Sequence, residues 1–186
     1  SGWSWSEVEK YFGDIRPFSG LYNTEINSVR AMGGQFGSDD KWVTGARIWV
    51  GGTHSSQVRV AIYSGGSLST GPVGADLVVD LGQTSGSGTD QWETLSCSPV
   101  AVPKNAPLWL AIKGDDSGFN IIYQLITDNA LCGDWQPTNG RWNTTSIDYD
   151  EANAWGDPWP TDAGGSFDDY WMSGWQIILQ DHDATT

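Results

Sequence analysis

Positive charge is scarce in this chain. There are 9 Lys and Arg against 23 Asp and Glu, a formal net charge of −14. Such a surface repels polyanions, which excludes nucleic acid and anionic membranes as expected partners. Histidine is scarcer still: His54 and His182 are the only two, so a His-based catalytic triad has little to draw on. No G-x-S-x-G elbow, phosphate loop, H-E-x-x-H or C-x-x-C motif occurs. The same shortage of nitrogen and sulfur ligands argues against zinc. Long apolar runs are missing too. The longest sheet-like one, Ile121 to Ile126, falls far short of the ~20 residues a spanning helix needs, so no membrane insertion is expected. Residues 1–20 lack the basic start and apolar run of a secretory signal. With only two cysteines, Cys97 and Cys132, the alternatives are one disulfide or two buried thiols.

Glycine and serine, by contrast, recur between short alternating runs, the pattern of an all-β domain rich in turns. Val43 to Val50 alternates, with Ala46, Ile48 and Val50 on one face. Val58 to Tyr63 does so through Val58, Val60 and Ile62, and Leu108 to Lys113 through Leu108, Leu110 and Ile112. Phe119 to Ile126 and Tyr170 to Leu179 are apolar on both sides, as central strands are. Leu77 to Leu81, Trp92 to Cys97 and Val29 to Phe36 add further strands. Eight strands and no interior helix predict an antiparallel two-sheet β-sandwich or jelly roll over residues 28–186. Residues 1–27 form an N-terminal arm or docked extension. In it Ser4 and Glu7 have capping-box spacing for a short helix, with Tyr11 and Phe12 docking it and Gly13 ending it.

Tryptophan is the most over-supplied residue, with 12 in 186. Trp135, Trp142, Trp155 and Trp159 fall in one long loop, residues 127–167, that shows little periodicity. Loops of that length in compact domains are usually functional or disordered, and the aromatic content argues against disorder. Trp135, Trp142, Tyr149, Trp155 and Trp159 sit among Asp134, Asn139, Arg141 and Asn153. Rings of this kind stack on sugar C–H faces while carboxylates and amides hydrogen-bond the hydroxyls. The alternatives are that the rings pack inward as a private core of the loop, or that they anchor a protein interface. A second aromatic set is Arg47, Trp49, Arg59 and Tyr63, opposite the core faces of their strands. They form a flat platform if those strands are neighbours, and otherwise lie buried under the arm.

Acidic pairs recur at turns, and the densest set, Asp148, Asp150 and Glu151, is the candidate calcium site. It is no EF-hand: the sixth position is Asn153 instead of Gly, and the twelfth is Trp159 instead of Glu. Solvated acidic turns are the alternative, and no other cofactor is expected.

The runs Val58 to Ser64, Trp92 to Leu95 and Pro107 to Asp115 resemble jelly-roll β-sandwich domains of bacterial secreted and phage proteins, many of them similar to carbohydrate-binding modules. The resemblance spans roughly residues 29–126 and 170–180. It implies the fold and leaves the tryptophan-rich loop outside. The expected function is therefore non-catalytic, lectin-like glycan binding through loop tryptophans, extracellular or at a cell surface, with polysaccharide as partner. The first alternative is a structural virion protein, a capsid decoration or fibre subunit, with tryptophans at contacts to homo-oligomer or virion neighbours; the arm and the absent signal favour it. A polysaccharide-active enzyme is the third, since a glycosidase needs only two suitably spaced carboxylates.

Overall fold

Alternation at period two decides which side chains meet in the centre of this protein. The computed structural model of the chain describes residues 10–14, 20–23, 29–35, 41–51, 57–69, 71–85, 91–114, 120–125, 136–137, 141–144, 155–160, 166–168, 170–171 and 175–181. Among them no helix occurs. The strands are β1 (Lys10–Asp14), β2 (Gly20–Asn23), β3 (Val29–Gln35), β4 (Lys41–Gly51), β5 (Gln57–Ser64), β6 (Asp76–Ser85) and β7 (Gln91–Val102). They continue as β8 (Pro107–Gly114), β9 (Asn120–Leu125), β10 (Gln136–Pro137), β11 (Arg141–Thr144), β12 (Ser166–Asp168), β13 (Tyr170–Trp171) and β14 (Trp175–Asp181).

All pairings are antiparallel, and they form two sheets. At the centre of the first, β4 lies between β14 and β7; β1 extends it beyond β14, and the last residues of β4 also pair β9. The second runs β12-β11-β3-β8-β5-β6. The sheets share one core. Val43, Ala46, Ile48, Leu95, Trp175, Ile177 and Leu179 from the first meet Val58, Val60, Ile62, Leu108, Leu110 and Ile112 from the second. Ala46 and Ile48 of β4 and the three residues each of β5 and β8 are the alternate positions the sequence predicts; Val43, of opposite parity, joins them across the register shift between Val43 and Gly45, and the Val50 side chain lies outside the described residues. Burying each of the Val, Leu and Ile side chains here contributes about 1.5–3 kcal/mol, so this interface contributes strongly to stability.

Two glycines are required by close approach. A Cβ on Gly45 would press into Leu95 O and sit 3.2 Å from the Ser96 Cα, at the place where the β4–β7 register shifts. Gly66, at φ 68°, turns the chain after β5, and a Cβ there would press into Gly71 O.

Three expectations change. Tyr11, Phe12 and Gly13 lie in β1, paired with Ile178, Ile177 and Gln176, so the segment expected to end and dock a helix is a strand of the first sheet. Tyr170 to Leu179 is not one strand: Tyr170–Trp171 pairs β9, whereas Trp175–Asp181 pairs β4 and β1. The long loop also carries strands, since β10 and β11 pair β3, and β12 pairs β11. Strands this short carry too few alternations to be seen in sequence.

Candidate functional site

The two sheets use their outer faces differently. On the second sheet Ala61 and Tyr63 of β5 and Trp109 and Ala111 of β8 point away from the shared core. With Ala75, Trp155 and Trp159 they form a second apolar cluster. The strap 155–160 lies across them. Trp159 N donates to Ala75 O at 2.8 Å and Gly74 N to Trp159 O at 3.1 Å. Tyr63 Oη donates to Gly156 O at 2.7 Å, and Leu77 N donates to Asp157 Oδ1 at 3.1 Å. The Trp159 ring meets Tyr63 edge to face, with centroids 5.0 Å apart at 83°, and Trp155 meets it at 6.3 Å and 69°. Trp109 Nε1 donates to Gly65 O at 2.8 Å, satisfying the indole under the strap.

Lys113, fully buried on the same face, places Nζ 4.4 Å from the Trp155 ring centroid. That cation–π contact partly offsets the desolvation of the ammonium. Desolvation, reinforced by the Asp157 and Asp80 carboxylates, raises the Tyr63 hydroxyl well above the usual tyrosine range, so it stays a proton donor to Gly156.

Trp155 and Trp159 are therefore 7% and 1% exposed, with their rings spent on protein contacts. No sugar reaches their faces while the strap is docked. The platform of Arg47, Trp49, Arg59 and Tyr63 does not assemble, because β4 and β5 belong to different sheets. Tyr63 is buried beneath the strap.

The first sheet keeps part of its outer face open. Val43, Ala46 and Ile48 point inward, which turns Trp42 and Arg47 outward on β4. Leu95 points inward on β7, which turns Trp92, Thr94 and Ser96 outward. Thr94 and Ser96 are exposed, and Trp42, Arg47 and Trp92 are half-buried. The Arg47 guanidinium stands 4.5 Å from the Trp92 ring centroid. Its Nε and Nη2 both donate to Gln176 Oε1, at 3.0 and 2.6 Å. Arginine, indole and amide thus brace one another. On β14, Gln176 and Ile178 are 5% and 7% exposed, so beside Arg47 the open area is confined to β4 and β7; at the Trp42 end it reaches the half-buried Gln180. The nearby carboxylate, Glu93, lies on the opposite side of β7 and accepts from Gln91 Nε2 at 2.5 Å and Thr84 Oγ1 at 3.4 Å. Among the described residues this open strip carries no acid, in a chain with 23 of them.

Of the residues the sequence singles out, Arg141 and Trp142 lie in β11, where Trp142 pairs Ala31 and Ala31 pairs Ala111. Trp135, Tyr149, Asp134, Asn139 and Asn153 lie outside the described residues, as do Asp148, Asp150 and Glu151. Among the described residues no group of three or more His, Cys, Asp or Glu is placed to hold a metal. Cys97 is a half-buried thiol with Sγ 3.8 Å from Val43 O, and burial pushes its pKa up; Cys132 is outside the described residues. Sequence reasoning missed Trp42 and Trp92 as surface aromatics. The available signal was their place on the non-core side of alternating strands. No protein-family model matches this chain, and no curated protein matches it.

Proposed function

We propose that this chain is a non-catalytic glycan-binding domain, a jelly-roll-type sandwich whose ligand surface is the open strip over β4 and β7. The observation that carries this is the braced Arg47–Trp92–Gln176 group beside exposed hydroxyls, on a strip without carboxylates. An indole held in place by a neighbouring guanidinium loses little freedom when a sugar stacks on it. Hydroxyls and amides supply hydrogen bonds without imposing a charge, and neither interaction needs a metal. A polysaccharide partner fits a protein outside the cell or at a cell surface, where several weak sites acting together give useful avidity.

The test is a tryptophan-fluorescence titration of the intact protein with soluble β-glucan, xylan, mannan and galactan. A saturable shift is expected with at least one polymer. Trp92→Ala is expected to weaken it about tenfold or more, equivalent to roughly 1.4 kcal/mol, while the urea midpoint moves little. A flat response across the panel removes the proposal. So does an unchanged affinity in Trp92→Ala.

A further inference from the structure

We infer, resting on the glycan reading above, that the strip takes the interior of an extended, uncharged polysaccharide laid along β4 and β7, contacting Trp42 near one end and Trp92 near the other. Register fixes the two ends. Trp42 pairs Ala101, and Trp92 pairs Trp49, seven residues further along β4. At strand rise, with a bulge between, the two rows are roughly 20 Å apart. That is too far for one or two sugar rings and suited to a run of several. Between the rows β7 offers the short hydroxyl side chains Thr94 and Ser96, both exposed, so a chain can lie flat.

The direction follows from what closes the alternatives. Across the strands the path is shut on the β14 side over the middle of the strip, where Gln176 and Ile178 are buried, and widens only beside Trp42, where Gln180 is half-buried. On the other side β7 pairs β4 and, among the described residues, no second strand, so the crosswise face is only about two strands, roughly 10 Å, wide. The lengthwise path is the open one, and neither end is needed to recognise a chain terminus.

The charge class follows from two scales. A net charge of −14 repels a polyanion at long range. At short range the cation on the strip, Arg47, is engaged with Trp92 and Gln176. Nothing described on the strip repels a neutral chain.

Isothermal titration of the intact protein tests this with a bound neutral polymer, size-graded oligosaccharides cut from it, and polygalacturonate. The polymer and long oligosaccharides are expected to bind, the disaccharide about a hundredfold more weakly, and polygalacturonate not at all at low salt. Trp42→Ala is expected to weaken polymer binding about tenfold. Ser96→Glu, on an exposed position away from both rings and the core, is expected to weaken the polymer similarly in a protein with an unaltered melt. Equal affinity for disaccharide and polymer overturns the inference, as does full affinity in both Trp42→Ala and Ser96→Glu, or preferential binding of polygalacturonate. A wild-type protein that binds no glycan retires the underlying function as well. If such a protein also dimerises in sedimentation and Trp92→Glu abolishes the dimer, the strip belongs to a second copy.

Discussion

Removing the Trp159 ring is the sharpest perturbation of this fold outside its main core. The indole is 1% exposed, meets Tyr63 edge to face at 5.0 Å, and belongs to a segment whose backbone is held at Trp159 by two hydrogen bonds. Truncating a buried tryptophan to alanine typically costs about 3–5 kcal/mol, of which an aromatic pair of this geometry supplies about 0.5–1.5. The loss has a ceiling. Ordering each strap residue costs about 1–2 kcal/mol, while each remaining hydrogen bond returns about 1. Without its main ring the strap therefore leaves the sheet, and the cost stops at its docking free energy. About 3–4 kcal/mol is the expected loss. With an m-value of about 2 kcal/mol/M, the urea midpoint falls by roughly 1.5–2 M. Trp155 becomes accessible to acrylamide under native conditions. A midpoint shift under about 0.5 M, with Trp155 still protected, would refute the reasoning that residues 155–160 are fastened by Trp159.

Three more substitutions test other parts. Tyr63 has its pKa raised by burial, so the folded state holds its proton where the unfolded chain releases it. Its contribution is full below the usual tyrosine value of 10.0 and is lost as pH rises above it. Tyr63→Phe is expected to cost about 1 kcal/mol at pH 8 through the Gly156 hydrogen bond, and to be more stable than wild type at pH 11 in urea denaturation. An equal cost at both pH values contradicts this. Gly45→Ala is expected to cost about 2–3 kcal/mol, because the new methyl meets the Leu95 carbonyl across the β4–β7 ladder. Gly82→Ala, at φ 80° with open space around its Cβ, pays only backbone strain of about 1 kcal/mol. The reverse order in urea midpoints would mean the β4–β7 register is wrong.

The core strands were legible because alternation is a strong signal over six or more residues. Val58, Val60 and Ile62, and likewise Leu108, Leu110 and Ile112, point where the pattern says. Pairing partners were not legible, because period two reports a face and not a neighbour. That is why Arg47 and Tyr63, each correctly placed opposite a core face, could be assigned to one platform when they belong to two sheets. Lys113 illustrates a second limit. A lysine at a strand end reads as a solvated end, yet the strap that buries it begins at Trp155, more than forty residues later. Tryptophan counts fail for the same reason. Composition says the rings need partners, but only tertiary packing says whether those partners are protein.

The asymmetry between the two outer faces turns that ambiguity into a decision. Trp155 and Trp92 each carry a cation over the ring, Lys113 at 4.4 Å and Arg47 at 4.5 Å, so their local chemistry looks alike. Their settings differ: Trp155 is 7% exposed above a fully buried lysine, whereas Trp92 is only half-buried, beside an open strip. Trp155→Ala therefore loses buried area and also exposes Lys113 to a cavity without its ring, which should cost at least about 3 kcal/mol. It should leave glycan affinity intact at temperatures where the variant is folded. Trp92→Ala should do the opposite, losing about tenfold in affinity with a stability change under about 1 kcal/mol. If the loss of affinity instead follows Trp155, the ligand lies on the second sheet, and the strap must open to admit it.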